Sequence, residues 1–133
     1  MTTLVDTSAL FALLDEDDVN HEAATEWMAG PGGDPSEILS THSYVVVESL
    51  ALVRARLAPS ATRVLADAYL PAVSILYVDE VLHVSALRAH LAAVRRRPSF
   101  VDWVSFEMMR DQGIARAFAF DRDFATEGFE LVP

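Results

Sequence analysis

Short runs rich in β-branched and aromatic residues alternate with stretches of helical periodicity along this chain, and no other feature constrains its fold as strongly. Two parallel strands cannot be joined by a tight hairpin; they need a crossover of about a dozen residues or more, which a helix supplies. Thr3-Leu-Val-Asp6 reads as a short buried strand, and Leu10, Phe11, Leu13 and Leu14 give a helix starting at Ala9 its apolar stripe. A second helix is expected from about Asn20 to Ala29, stopped by Gly30-Pro-Gly-Gly-Asp-Pro35, an internal loop with too little chain on either side for two cores.

Ile38-Leu-Ser40 is the next strand, Thr41 to Leu57 a long helix that Pro59 follows as a stop, and Ala61 to Tyr69 a short one. Val73-Ser-Ile-Leu-Tyr-Val78 has the composition of a buried parallel strand. Asp79 caps a helix running to about Arg95. Pro98-Ser99 begins another that ends at Gly113 in a left-handed cap. Ala115 to Phe120 is a central strand and Phe129 to Val132 an edge strand. The expected class is α/β: one domain over residues 1–133, three layers α/β/α about a mostly parallel sheet of four to five strands.

Composition removes several chemistries. The absence of cysteine excludes disulfides, zinc fingers, iron–sulfur clusters and thiol nucleophiles. All ten positive residues are arginine, so a P-loop and any Schiff-base lysine are excluded as well. No secretory signal and no segment of membrane-spanning length is visible, and a cytoplasmic protein is expected. The net charge of −10 argues against nucleic acid as a partner, unless several carboxylates converge on divalent cations that offset it.

Such a convergence is legible. Ligands of open parallel sheets bind beyond the carboxyl ends of the strands, where Asp6 and Asp121 both stand. Glu48 shares a helix face with Tyr44, Val45, Ala51 and Leu52, so it either bends out to solvent, pairs with Arg54 or Arg56, or meets a cation. Asp102 completes a capping-box pattern with Ser99, yet it also shares a face with Ser105, Phe106 and Met109, pointing inward. Haloacid-dehalogenase phosphatases and receiver domains place aspartates similarly. The first requires an aspartate where Ser8 stands, and both normally use a lysine.

Four segments then carry a family resemblance, in order: Leu4-Val-Asp-Thr-Ser-Ala9, Val46-Val-Glu-Ser49, Ser99-Phe-Val-Asp-Trp-Val-Ser-Phe106 and Ala119-Phe-Asp-Arg-Asp-Phe124. Over nearly its whole length the chain resembles the PIN-domain nucleases, most closely the VapC-type toxin ribonucleases of prokaryotic toxin–antitoxin pairs. The resemblance implies a PIN-like domain in which Asp6, Glu48, Asp102 and Asp121 form an acidic quartet holding Mg²⁺ or Mn²⁺ for hydrolysis of RNA. It implies Asp123 as an additional or water-mediated ligand, with a turn-capping role as the competing reading. Thr7 and Ser8 would be hydroxyls supporting Asp6, and Ser105 would orient a carboxylate or water, or else be a small residue at a helix crossing.

Arg95, Arg96, Arg97 and Arg122 are candidate phosphate contacts, against the alternative that the triple arginine is a solvated helix end. The family further implies a homodimer and a cognate antitoxin protein. The rival reading is a non-catalytic PIN-like module that binds a protein or RNA partner.

Overall fold

The structure is a computed structural model describing residues 1–133. Its five strands are β1 (Thr2–Val5), β2 (Ile38–His42), β3 (Ser74–Leu76), β4 (Arg116–Phe118) and β5 (Glu130–Val132). All pair in parallel, in the order β3-β2-β1-β4-β5. The helices are α1 (Thr7–Leu14), α2 (His21–Ala29), α3 (Ser43–Arg56), α4 (Pro59–Val64), α5 (Glu80–Ala92), α6 (Phe100–Gln112) and the single turn α7 (Asp123–Thr126). None is long and apolar enough to cross a membrane.

Alternation along the strands splits the core in two. Val5 and Phe118 face a cluster built with Ala9, Leu10, Leu13, Trp27, Val45 and Val53, whereas Leu4, Ala117 and Ala119 face Leu82, Trp103, Phe106, Met108 and Met109. The sheet is therefore covered on both sides, as expected of an all-parallel sheet, and the layers are α/β/α. Trp27 and Trp103 are core residues. Gly113 ends α6 at φ 66°, the left-handed cap foreseen there.

The structure corrects four boundaries and the burial of one strand. α1 begins at Thr7 and not Ala9, because Asp6 itself is the N-cap and accepts the Ser8 N–H. β2 runs two residues past Ser40; Thr41 is buried and donates its hydroxyl to the Val5 carbonyl at 2.8 Å, while His42 caps α3. Pro59 opens α4 at its first turn, where a missing N–H costs nothing. β3 is an edge strand whose residues are at best half-buried, so the apolar run at 73–78 is not a buried central strand. The helix expected to reach Arg95 ends at Ala92, which leaves the triple arginine in a connecting segment.

Candidate active site

Strand order places the cleft. The sheet winds outward from β1 through β2 to β3 and, in the other direction, through β4 to β5, so the crossovers diverge between β1 and β4 and open a crevice beyond their carboxyl ends. Asp6 directly follows β1, its N–H donating to the Phe118 carbonyl at 3.0 Å, and Asp121 lies three residues beyond β4. α3 brings Glu48 and the first turn of α6 brings Asp102. All four line one cleft of about 740 Å³, together with Asp123.

Backbone and hydroxyl donors fix one oxygen of each aspartate. Asp6 Oδ2 accepts from the Ser8 N–H at 3.1 Å and the Ser8 hydroxyl at 2.6 Å. Ser8 Oγ in turn accepts the Phe120 N–H at 3.0 Å, which ties the two strand ends together. Asp102 Oδ2 accepts the Ser99 N–H at 2.8 Å while the Asp102 N–H donates to Ser99 Oγ at 3.1 Å. The capping box is thus real, and it presents Asp102 to the cleft as well; the two readings coexist. Asp121 Oδ1 accepts the Asp123 N–H at 2.9 Å. The second oxygens of Asp6, Asp102 and Asp121 have no donor from the protein.

Burial sets the electrostatics. Asp6 is 4% exposed, and its carboxyl is pushed up to about 6, first by loss of water and then by the charges of Glu48 and Asp121, against the pull of the Ser8 hydrogen bonds. Asp102 is pushed up to about 7, again first by burial and then by Asp6 and Asp121. Asp121 is raised in the same direction by burial. The chain thus collects acids where water is scarce and gives Asp6, Glu48 and Asp102 no arginine partner.

Asp102, Asp121 and Asp123 each offer an oxygen within 4.8 Å of the others. An all-oxygen, carboxylate-rich set in which Asp102 and Asp121 each keep one oxygen free of protein donors fits a hard divalent cation and does not fit a soft one. Asp123 differs from the rest. It is 4% exposed, but Arg95 reaches its Oδ1 at 3.1 Å and Arg97 its Oδ2 at 3.9 Å, so its charge is already compensated.

The other foreseen residues separate. Thr7 lines the cleft and accepts the Ser49 hydroxyl at 3.2 Å. Ser105 is fully buried and bonds His42 Nε2 at 2.8 Å and the Val101 carbonyl at 3.2 Å; no carboxylate bonds it. His42, passed over in the sequence, joins α3 to α6: its Nδ1 accepts the Val45 N–H at 3.4 Å, and burial pulls its imidazole down to about 4. Only its place at a strand–helix boundary, where a capping side chain is needed, could have signalled this.

Arg97 and Arg122 reach the cleft, and Arg56 joins them from the end of α3. Arg95 spans Asp123 and Glu127, at 3.1 Å and 3.0 Å, and serves as a strut; Arg96 is exposed away from the cleft.

Comparison with known proteins agrees with this geometry. The family model of the PIN domain matches residues 3–129. The 23S rRNA-specific endonuclease VapC20 of Mycobacterium tuberculosis is 35% identical over 132 residues, which cover 94% of this chain and 93% of that protein. The crystal structure of M. tuberculosis VapC20, described as a Sarcin-Ricin loop cleaving toxin, superposes over the full length of both chains with a TM-score of 0.87 at 32% identity. FitAcB of Neisseria gonorrhoeae, at 16% identity and a TM-score of 0.67 over 100% of this chain and 97% of that one, shares the fold.

Proposed function

The chain belongs to the PIN-domain family, and from that premise we propose that it is a metal-dependent endoribonuclease, the toxin of a VapBC-type pair. One observation carries the reading: three buried or half-buried aspartates meet Glu48 at the switch point of the sheet, with burial raising Asp6, Asp102 and Asp121 and no arginine paired to Asp6, Glu48 or Asp102. Such a cluster is costly on its own and is relieved by a cation. The 35% identity to an rRNA endonuclease supports RNA, and ribosomal RNA first, as the substrate.

Asp6, Glu48, Asp102 and Asp121 would hold Mg²⁺ or Mn²⁺, with Asp123 beside them. The ion, when bound, supplies an ionised water and charge neutralisation at a phosphodiester. Everything else falls to the chain. Ser8 keeps Asp6 in one rotamer and ties it to the strand carrying Asp121. Ser99 does the same for Asp102. The guanidinium groups of Arg56, Arg97 and Arg122, at the cleft, suit the flanking phosphates, which the acids would otherwise repel.

The same reading calls for a cognate antitoxin with a basic segment complementary to the acidic cleft. It also calls for a homodimer, for which Val81 and Leu91, 78% and 75% exposed on α5, provide apolar surface. The test is incubation of total cellular RNA with purified protein in Mg²⁺ or Mn²⁺, in excess chelator, and with Asp6→Asn. Discrete fragments that need both metal and Asp6 are expected; fragments unaffected by either change would overturn the assignment. Light scattering of the same sample reads the oligomeric state.

A further inference from the structure

Sixteen residues line the acidic cleft and only three of them are hydrophobic: Phe11, Leu52 and Phe120. Phe120 directly precedes Asp121, and its backbone N–H is held on Ser8 Oγ, the same hydroxyl that binds Asp6. It therefore stands between the two aspartates that mark the ends of β1 and β4. Its ring is half-buried: one side packs on the core beneath, with the Phe118 ring centroid 6.2 Å away at 67°, and the rest faces the cleft. Phe11, on α1, is half-buried in the same way against the same cluster. Phe118, the last residue of β4, and Phe120 beyond it both pack on the α1 side of the sheet, whereas most of α6 packs on the other. The two rings thus lie on the α1 and α3 side of the cleft, the side that carries Glu48, while Asp102 enters from α6.

A half-exposed phenylalanine inside a polar, highly charged cleft costs solvation free energy unless the cleft is filled by something with an apolar face. A nucleotide is such an occupant, because its phosphate suits the cation site and its base, joined to that phosphate through the ribose, offers a flat π-face. Base–aromatic stacking tolerates every base, since each has a π-face, and its strength varies with the size of the ring system. Arg97 and Arg122 lie at the same cleft for the neighbouring phosphates.

We propose that Phe120, with Phe11 as a second wall, is a stacking platform that receives the nucleobase next to the scissile phosphate, so that this chain binds unpaired nucleotides there. The proposal rests on the ribonuclease reading for its substrate, but the surface can be tested without cleavage. The platform selects single-stranded or splayed-out nucleotides, because a base inside a helix cannot present its face to a side chain.

The experiment uses two readouts on the parent, Phe120→Leu, Phe120→Trp and Phe11→Leu, each first checked for an unchanged circular dichroism spectrum. The first is fluorescence of 2-aminopurine riboside 5′-monophosphate titrated with protein in Mg²⁺. Stacking quenches this base, and the probe has no phosphodiester to cut. The second is kcat and KM for cleavage of ribosomal RNA. Quenching by the parent, its loss with about tenfold weaker binding in Phe120→Leu, and recovery in Phe120→Trp are expected. In cleavage, Phe120→Leu raises KM about tenfold with kcat nearly unchanged. A side chain that merely packs the core would not be rescued by the larger tryptophan.

A parent that does not quench the probe, or a Phe120→Leu protein that equals the parent in both readouts, overturns the platform. A parent that quenches but cuts no RNA in either metal overturns the nuclease reading and leaves the platform standing. A parent that cuts RNA while Phe120→Leu keeps its KM overturns the platform alone.

Discussion

The two ends of the sheet treat buried carboxylates in opposite ways. At the amino-terminal edge, Glu37 is 8% exposed at its side chain and pairs with Arg116, whose single Nη2 donates to its two oxygens at 2.8 Å and 2.9 Å; the Thr3 hydroxyl donates to it as well. At the carboxyl edge Asp6, Asp102 and Glu48 crowd together without any such partner, and burial and mutual repulsion raise Asp6 and Asp102. The first arrangement compensates its carboxylate within the chain, although Arg116 Nε is buried without a partner. The second has no such compensation within the chain, which is why one edge reads as structure and the other as a candidate site.

Asp6→Asn should separate the two most sharply. RNA cleavage is expected to fall by more than about 100-fold, beyond the 10–100-fold typical of losing a group that only supports a metal ligand. The metal-free variant should nonetheless melt higher than the parent at pH 8, because a neutral side chain replaces a raised carboxylate. Cleavage assays and thermal melts in chelator check both halves.

Glu37→Gln is the mirror experiment. Breaking a buried pair while leaving Arg116 in place costs on the order of 3 kcal/mol, so the melting temperature should drop by about 10 °C. Cleavage measured well below that temperature should be unchanged. Loss of activity in the folded variant would mean that the two edges are coupled.

The pH dependence of the metal-free protein sharpens the contrast further. Asp6 and Asp102, at about 6 and about 7 in the native state against an ordinary 3.8, retain protons that the unfolded chain has released. Their contribution is complete below about pH 4 and is lost as pH rises through 6 and 7. His42, pulled from 6.5 to about 4, works in the other direction, contributing above 6.5 and losing that as pH falls. The carboxyls outweigh it, so stability should decline by on the order of 2 kcal/mol between pH 5 and pH 8. Mg²⁺ should restore it, with a larger melting shift at pH 8 than at pH 5.

The smallest effects belong to the rim. Arg97→Ala or Arg122→Ala should raise KM several-fold with little change in kcat, and each should lower the slope of log affinity against log salt by about 1. Arg96→Ala, away from the cleft, should leave that slope unchanged.

Much of this arrangement was legible before any coordinates. Asp6, Glu48, Asp102 and Asp121 line one cleft, as the family resemblance implied; Asp6, Asp102 and Asp121 sit near strand ends or a helix start with strong local signals, whereas Glu48 lies within α3 and had only its apolar helix face to mark it. The parallel sheet followed from the alternation of strand and helix. Less visible were the features that depend on partners far away in the chain. His42 bonds a residue 63 positions later, and Arg56 reaches the cleft only because α3 runs the length that it does. The triple arginine looked uniform in sequence and divides in space into a strut, an exposed residue and a cleft residue.

The sequence by itself determined the fold class, through hydrophobic period and capping patterns, and pointed to the acidic residue set only through a family resemblance; the lack of cysteine then restricts any ion there to oxygen or imidazole donors. Tertiary structure alone decided which acids are left uncompensated, which arginines are free to meet phosphate and which aromatic rings face the cleft. Those outcomes depend on burial and on through-space charge. Neither exists until β1 and β4, more than a hundred residues apart, lie side by side.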